Sequence, residues 1–447
     1  MKQLKYFNTI TIFIGVLLLF AAAGTAPGDV AVHGEVSSNT RFYFHNGRIF
    51  SNRNTLSLEL RHSTRDYALY AEPQLAIEGL GGEITSITDL QDLENIYQPT
   101  LSLSEAYLDL YHFLLPSLDV RVGKQIMVWG TADRINPTSN LCPSDFSSFF
   151  DFGQKLSTNS LLMRFYISNT MLSVVYIPGF SPSLLPTQSI STISYEELLL
   201  PGTTSVGEVT SHVDTPDNFA GEASQAAAKL STYLLGFDVS ASYYYGRYKL
   251  PVIYRINLTS DGTATNIETF SQFPRTHVAG FDFAGSLFNM GIWGEAAVFF
   301  PEKVTTETYT NGTLIDSTTV LDKPYPRYLI GTDYTFENGL YYNLQFVHGF
   351  SHEIGKDNLN DYLVFRMEKD FFQGKLKLSP VSLVLTTGDW NDVSSNYGIG
   401  YIPELQYYPS DNVELDLGCL VVHGRGDNLF ASLKDTDSMY VKAKVSF

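Results

Sequence analysis

Cysteine is nearly absent from this chain: Cys142 and Cys419 are the only two among 447 residues. Two thiols cannot form the framework of a small disulfide-stabilised domain, so cohesion must come from elsewhere. Charged side chains are also scarce, at 17% of the chain, against about a quarter in an average soluble protein. A chain with so few charges has little need for a fully water-exposed surface.

Basic residues are in the minority, with 29 Lys and Arg against 47 Asp and Glu, and the formal net charge is -18 at pH 7. Nucleic acids attract proteins through basic surfaces that neutralise phosphate groups. A strongly acidic chain is therefore a poor candidate for binding DNA or RNA.

Catalytic signatures are missing as well. The sequence contains no G-x-S-x-G motif, no H-E-x-x-H motif and no phosphate-cradling glycine loop. The adjacent pairs His62-Ser63 and Ser351-His352 do not by themselves place a nucleophile beside its base. We expect no enzymatic activity, no cofactor and no metal centre.

Long apolar runs are confined to the beginning of the sequence. Lys2 and Lys5 precede an apolar stretch that ends in small residues at Ala23. This pattern predicts a secretory signal peptide over residues 1–23. A transmembrane anchor is the alternative, but the apolar stretch is short and no stop-transfer charges follow it. Residues 24–447 have no further run long enough to cross a bilayer as a helix, so we expect an exported protein.

Alternation of apolar and polar side chains is the strongest signal that is present. Residues 55–62 read TLSLELRH, residues 413–419 read VELDLGC, and residues 440–447 read YVKAKVSF. Successive side chains of a strand point to opposite faces, so each segment predicts a strand with one apolar and one polar face. A soluble β-sandwich also alternates, but it hides its apolar face in a core.

Connections between these segments alternate between short and long. A turn at 63–66 is followed by a long link at 79–99, and similar links lie at 129–158 and 179–224. Outer-membrane barrels have tight turns at one membrane face and extended loops at the other. We therefore predict an all-β fold over residues 24–447, a transmembrane antiparallel β-barrel of about 16–18 strands.

Aromatic residues are abundant, with 28 Tyr and 30 Phe but only three Trp. Many lie near segment ends, as in Phe299-Phe300 and Tyr407-Tyr408. Such positions are typical of the aromatic girdles at the two membrane interfaces, although buried core aromatics are the alternative for any single pair.

The end of the sequence resembles the carboxy-terminal recognition strand of bacterial outer-membrane barrels. That strand ends in Phe with apolar residues at alternate positions before it, and Val441, Ala443, Val445 and Phe447 match this pattern. The resemblance implies that the barrel-assembly machinery is a partner.

A second stretch, residues 121–146, reads RVGKQIMVWGTADRINPTSNLCPSDF. It resembles a segment of porin-like outer-membrane families of Gram-negative bacteria, in which R-V-G-[KR]-Q leads into W-G and then N-P. The resemblance implies a location in the bacterial outer membrane, in contact with lipid and lipopolysaccharide.

A barrel of about eighteen strands is too wide for its own side chains to fill, so it leaves an aqueous lumen unless something plugs it. The 129–158 segment has a position similar to that of the loop that folds inward in general porins, and this resemblance implies a constriction. Asp133 beside Arg134 would place a transverse field there, or would be an ordinary ion pair of an exposed loop. The other pore residues expected from this loop and from lumen-facing strand positions are Arg121, Trp129, Asp145, Asp151, Glu59, Arg61, Asp109, Arg366, Glu414 and Asp416.

The 179–224 link is predicted to be a long acidic outer loop, since it contains six acids and no Lys or Arg. Such a loop would repel anions at the mouth or bind divalent cations that bridge lipopolysaccharide. Simple solvation of the acids is the alternative.

The sequence thus predicts a channel for passive diffusion of small hydrophilic solutes. Lumen-facing charges of mixed sign suit polar or zwitterionic solutes. A transporter for apolar compounds, which would need an apolar lumen or a lateral opening, is one alternative. A surface-binding or polysaccharide-assembly barrel with an occluded lumen is another. The sequence pattern leaves the oligomeric state open.

Overall fold

The computed structural model describes residues 30–79, 98–147, 153–185, 205–217, 221–260, 262–426, 428–433 and 436–447. Within these ranges the chain is almost entirely β-structure, with a 3₁₀ turn at Lys356–Asn358 and a four-residue helix, α1, at Leu429–Ser432. No helix of the described residues is long and apolar enough to span a membrane. The signal peptide predicted for residues 1–23 lies outside the described residues.

Twenty-four strands make up the described part of the chain. Their bounds are β1 (Val30–Tyr43), β2 (Ile49–Ser63), β3 (Tyr67–Glu78), β4 (Gln98–Leu110), β5 (Leu118–Gln125), β6 (Thr158–Ile167), β7 (Thr170–Ile177), β8 (Ser205–Asp214), β9 (Gln225–Leu234), β10 (Phe237–Arg247), β11 (Val252–Ser260), β12 (Ala264–Gln272), β13 (Arg275–Leu287), β14 (Met290–Pro301), β15 (Val304–Thr310), β16 (Thr313–Leu321), β17 (Tyr325–Thr335), β18 (Leu340–His348), β19 (Asp361–Phe371), β20 (Leu376–Thr387), β21 (Tyr397–Tyr401), β22 (Glu404–Ser410), β23 (Val413–Arg425) and β24 (Ser438–Ser446).

Nineteen of these strands form one closed antiparallel barrel. Strands β21 and β22 occupy a single position in succession, because both lie between β20 and β23, so the barrel has eighteen strand positions. Closure comes from β24, which pairs with β1 over nine residues. A closed sheet leaves no unpaired edge, which is what a bilayer demands of β-structure. The predicted all-β barrel of 16–18 strands is confirmed.

Tight turns gather at one end of the barrel and long connections at the other, and we call these the short-turn end and the long-loop end. The turn between β9 and β10 consists only of Leu235 and Gly236, with φ of 53° and 90°. Two-residue hairpins of this kind need left-handed backbone at both central positions, which glycine adopts at no steric cost. Each short turn thereby fixes the register of the strands that it joins.

Apolar side chains point outward along the wall. On the closing pair of strands Val36, Val441 and Val445 are 48%, 48% and 44% exposed, and Phe447 lies on the same outward parity. Polar neighbours such as Lys442 point into the barrel, where Lys442 is an ion-pair partner of Asp416. The alternation in the sequence therefore corresponds to an outward face and an inward face of each strand, which have different surroundings.

A second sheet of five strands, in the order β16-β15-β11-β12-β8, lies at the long-loop end. It combines three long connections, and its β11–β15 and β12–β8 pairings are parallel. Ile256, Leu258 and Ile267 form a small buried cluster within it. The sequence pattern does not predict this sheet, because pairing between strands so distant along the chain leaves no local signal.

Part of the barrel interior is filled by apolar side chains. One buried cluster joins Trp129 and Leu141 of the β5–β6 connection to Phe299 and Tyr325 of the wall. A second cluster is formed by Trp293, Leu329, Val347, Phe350, Tyr362, Val384, Leu420, Val422, Phe430 and Leu433. Apolar side chains therefore also occupy inward-facing positions of the wall. They face inward because other parts of the chain cover them.

Candidate functional site

The connection between β5 and β6, residues 126–157, folds into the barrel, and we call it the inward segment. It is described over 126–147 and 153–157. Trp129 and Leu141 are 9% and 1% exposed because they pack against the part of the wall that contains β14 and β17. The alternative of a freely exposed loop does not describe these residues.

The carboxylate of Glu295, on β14, holds the inward segment to the wall. Its Oε1 accepts hydrogen bonds from the backbone N–H of Thr131 at 2.7 Å, the backbone N–H of Ala132 at 2.9 Å and Asn136 Nδ2 at 2.9 Å. Its Oε2 accepts from the hydroxyl of Thr138 at 2.8 Å and from its backbone N–H at 3.3 Å. Glu295 is 3% exposed, so the buried charge is stabilised by five donors of one short stretch. We call this set of contacts the Glu295 latch.

Gly130 is the residue that allows the latch to close. Its φ is +106°, and a Cβ at this position would lie 2.4 Å from Glu295 Oε1. Only glycine both adopts this backbone conformation readily and lets the chain approach the carboxylate so closely. Thr131 Oγ1 adds a bond to the carbonyl of Phe283, at 3.3 Å.

The start of the inward segment is held by β4. Glu105 Oε1 accepts from the backbone N–H of Ile126 at 2.6 Å. Cys142 Sγ accepts from the backbone N–H of Met127 at 3.2 Å, so the segment folds back on itself. Both cysteines are free, and Cys142 is 1% exposed. Burial raises the pKa of the Cys142 thiol, which keeps it protonated and unreactive.

A cavity of about 1480 Å³ lies between the inward segment and the part of the wall that contains β24 and β1 to β4. Its lining extends from Gly34 and Ser446 near the short-turn end to Tyr43 and Thr436 near the long-loop end. At about 3.3 Å per residue and a strand tilt of about 40°, the nine steps from Gly34 to Tyr43 correspond to a height of roughly 23 Å. The cavity therefore follows the barrel wall across nearly the thickness of a bilayer core.

Charges of both signs line this cavity. The acidic lining residues are Glu35, Glu59, Glu72, Glu78 and Asp145, and the basic ones are Arg41, Arg53, Lys124, Lys155 and Lys442.

On the wall itself, Glu59 and Glu72 lie toward the short-turn end. The flanking pairs Ser57–Gln74 and Leu60–Ala71 place them opposite each other on β2 and β3. Toward the long-loop end the same two strands carry Arg53 and Glu78, whose side chains are 3.5 Å apart. A solute moving along this wall would pass the Arg53–Glu78 ion pair at the long-loop end and the two acids Glu59 and Glu72 closer to the short-turn end.

The pore residues expected from the sequence lie at different places relative to the cavity. Glu59 and Asp145 line it. Trp129 is an apolar anchor on the far side of the inward segment. Asp133 accepts from Asn343 Nδ2 at 3.1 Å and lies outside the lining, as does Arg134. The expected transverse field from this pair is therefore not at the cavity, because the latch turns residues 130–138 toward β14 and β18. Asp151 lies outside the described residues.

Three other predicted residues, Arg121, Asp109 and Arg366, form ion pairs inside the barrel, and a fourth, Arg61, forms a hydrogen bond. Arg121 binds Asp109 in bidentate fashion, at 2.7 and 2.9 Å. Arg366 contacts Glu368 at 2.9 Å and Glu404 at 3.4 Å. Arg61 Nε donates to Ser63 Oγ at 3.3 Å, near the short turn.

The two acids predicted on β23 are each paired with a lysine of β24. Glu414 lies 2.6 Å from Lys444, and Asp416 lies 3.9 Å from Lys442. Cross-strand pairs of opposite charge stabilise adjacent strands and neutralise each other. These two ion pairs thus contribute mainly to the stability of the barrel wall.

Glu295 is the functional residue that sequence reasoning missed. The signal was a single acid in the apolar stretch 290–301, MGIWGEAAVFFP, on the inward parity of its strand. A lone charge in such a strand needs a buried partner. Its partners lie about 160 residues earlier in the chain, so no local pattern identified them.

Lys155 contributes a charge to the cavity whose protonation depends on pH. Its Nζ donates to Ser144 Oγ at 2.9 Å and to the carbonyl of Ser139 at 3.4 Å. Burial lowers the pKa of Lys155 to about 8. Burial also lowers the pKa of Lys249, beside the inward segment, to about 7.

Raising the pH from 7 to 9 should increase the preference of the channel for cations. The ammonium of Lys155 loses its proton as the pH rises through about 8, so the cavity loses a positive charge. Reversal potentials in a KCl gradient measure the change. The Lys155→Met variant should show a smaller dependence on pH over this range, and an equal dependence would contradict the assignment.

Comparison with known proteins gives no sequence family. No protein-family model matches the chain, and no curated protein matches it. Solved structures do match. OccAB3 of Acinetobacter baumannii has a TM-score of 0.53 and 10% identity, covering 94% of this chain and 99% of the other. A BenF-like porin from Pseudomonas fluorescens Pf-5 has a TM-score of 0.51 and 10% identity, with 94% and 98% covered. OccAB1 of Acinetobacter baumannii scores 0.53 at 9% identity, with 94% and 97% covered.

At such low identity this likeness concerns the fold alone. The eighteen-position closed barrel, the outward apolar face and the segment folded into the lumen define the class. The chain has a porin-like β-barrel fold.

Proposed function

We propose that this protein is a channel of the bacterial outer membrane through which small hydrophilic solutes diffuse passively. The cavity beside the inward segment carries this proposal, because its polar, mixed-charge lining extends over most of the barrel height. Transport would need neither energy input nor a chemical step. The inward segment, held by the Glu295 latch, would set the width of the path.

The outward apolar surface supports the membrane location, with lipid and lipopolysaccharide as its surroundings. Val441, Ala443 and Val445 share the exposed face of β24, and Phe447 follows the strand on the same parity, as a recognition strand for the barrel-assembly machinery would require. The polar lining also separates this proposal from a transporter of apolar compounds, because the cluster around Trp129 and Phe299 lies away from the cavity and the second cluster contributes only Leu420 and Leu433 to its lining.

Single-channel conductance in planar bilayers tests the proposal directly. Purified protein should produce discrete steps in KCl, and liposomes that contain it should swell in small sugars faster than in large ones. A folded protein that produces no conductance steps would favour the occluded surface-binding barrel and would overturn the channel proposal.

A pair of neighbouring substitutions tests which face of β1 lines the path. Ser37 lines the cavity, whereas Val36 is 48% exposed on the outer face. Ser37→Trp should reduce single-channel conductance by roughly a factor of two or more, because an indole fills part of the lumen. Val36→Trp places the same side chain among lipid tails and should leave conductance unchanged. Equal conductance of the two variants would show that the ion path lies elsewhere.

A further inference from the structure

Two arginines lie directly opposite each other at the long-loop end of the wall. Arg247 ends β10 and Arg275 begins β13, and the two residues are register partners. Like charges directly opposite on neighbouring strands destabilise a sheet. Within the described residues, neither guanidinium forms an ion pair with a carboxylate. Glu302 accepts from the main-chain N–H of Arg275, at 2.9 Å.

Main-chain carbonyls hold both guanidinium groups in place. Arg275 Nη1 donates to Ser224 O at 2.7 Å and its Nη2 donates to Gly221 O at 3.0 Å. Arg247 donates from Nε to Glu222 O at 2.9 Å and from Nη1 to Phe273 O at 2.6 Å. These bonds orient the two cations but leave their charges in place. Each guanidinium has five N–H donors, so both retain donors for a further acceptor.

The surroundings of this pair are those of a membrane interface. The same outward parity carries Tyr243 and Tyr245, which are 48% and 39% exposed, and the exposed ring of His277. His277 lies 4.6 Å from the ring of Tyr245, and its Nδ1 is 2.5 Å from the hydroxyl of Tyr243. The guanidinium of Arg275 lies 5.0 Å from the centre of the Tyr245 ring. Tyrosines at this height are typical of the headgroup level of a bilayer.

We propose that Arg247 and Arg275 bind the phosphate of a lipid headgroup in the membrane leaflet at the long-loop end, with Tyr245 and His277 as the adjoining wall of the site. A phosphomonoester brings up to two negative charges and three acceptor oxygens, which match two opposed guanidinium forks. Its charge would offset the repulsion between the arginines. The acyl chains would then lie along the outward apolar surface below. The inference depends on the barrel being embedded in a membrane but not on the identity of the solute.

Native mass spectrometry of the folded protein in mixed micelles tests the site. The micelles contain phosphatidylcholine with either phosphatidic acid, a phosphomonoester, or phosphatidylglycerol, a phosphodiester, of the same chain length. The wild-type protein should retain phosphatidic acid in preference to both other lipids. Equal retention of all three lipids by the wild-type protein would overturn the proposal without any variant.

Variants then assign the binding to the arginines. The double variant Arg247→Gln/Arg275→Gln should weaken retention of phosphatidic acid by roughly thirtyfold, because two lost charges at about 1 kcal/mol each sum to about 2 kcal/mol. Arg425→Gln is the matched control, because Arg425 is an exposed arginine that also lies at the long-loop end of the barrel. It ends β23, and its register partner is Tyr397. It should behave as the wild type. Unchanged retention by the double variant, or an equal loss in the control, would contradict the site.

Two further measurements keep the outcome clear. Unchanged conductance steps would show that the double variant has folded. If it has not folded, the variant Arg247→Lys/Arg275→Lys, which keeps both charges, replaces it in the binding measurement. The lysine variant should retain part of the preference for phosphatidic acid. Millimolar inorganic phosphate should compete poorly, since it lacks acyl chains. Full displacement by inorganic phosphate would identify a site for free anions and would overturn the lipid assignment.

Discussion

Replacement of Glu295 by alanine is expected to give a channel with a larger and noisier conductance than the wild type. The carboxylate accepts five hydrogen bonds from residues 131–138. A hydrogen bond to a charged group contributes about 1.5–3 kcal/mol, and bonds that share one acceptor group are far from additive. We therefore expect the variant to lose roughly 3–5 kcal/mol of the free energy that holds the inward segment against the wall. The inward segment would then leave the wall for part of the time and widen the lumen.

Two independent readouts check this result. Single-channel recordings should show higher mean conductance and more frequent transitions between levels. Cys142, which is 1% exposed and lies in the inward segment, should become reactive toward a water-soluble maleimide in the folded variant. Glu295→Gln should lie between alanine and the wild type, because an amide keeps one acceptor oxygen but presents an N–H₂ group to the remaining donors.

The matched control for the latch is Asp282→Asn. Asp282 is the register partner of Glu295 on β13, and like Glu295 it is 3% exposed. Its ion-pair partner is Lys229 of the wall, at 3.2 Å. The control should leave the conductance noise and the reactivity of Cys142 as in the wild type. If Glu295→Ala also leaves both unchanged, the inward segment is held by its apolar packing and the latch is dispensable.

The double variant Glu59→Gln/Glu72→Gln is expected to change ion selectivity more than any single charge removal in the cavity. The two carboxylates lie opposite each other on β2 and β3 and line the lower part of the cavity. A unit charge at about 4 Å contributes about 1 kcal/mol even in bulk water, which is a factor of about five for an ion that passes close by. The ratio of potassium to chloride permeability should therefore fall several-fold.

Reversal potentials in a tenfold gradient of KCl at low ionic strength measure this effect, since added salt screens it. Glutamine preserves the shape of both side chains. At Glu72, Oε1 accepts from Ser57 Oγ and Oε2 accepts from the Tyr70 hydroxyl, so an amide keeps an acceptor oxygen for one of these two donors. Asp133→Asn removes a charge of the same sign outside the cavity and should have little effect. If this control shifts the reversal potential as much as the double variant does, ions pass along the other side of the inward segment.

The fold was predictable because strand alternation is a local property. Leu56, Leu58 and Leu60 occupy one parity and Glu59 and Arg61 the other, whichever strands lie beside them. The strand number followed because short turns and long links alternate along the chain, as the turn at 63–66 and the link at 79–99 do. The outer five-stranded sheet was not predictable, since its parallel pairings join strands from three separate connections.

The candidate site was predictable only in part. Parity places Glu59 in the lumen, and Asp145 was expected there as a residue of the 129–158 loop. Parity does not reveal which lumen residues meet the inward segment, and Asp133 and Arg134 were assigned to the constriction because they are adjacent charges. Their actual surroundings depend on Glu295, about 160 residues away in sequence.

By itself, the sequence determined that the chain forms a barrel with an apolar outer face and a polar inner face, because the face on which a residue lies depends only on its position along the strand. Only the tertiary structure decided where the lumen is open and where it is filled. That outcome depends on one buried carboxylate and one glycine that bring a distant segment against the wall. Contacts between residues so far apart along the chain are set by closure of the barrel, and no local pattern encodes them.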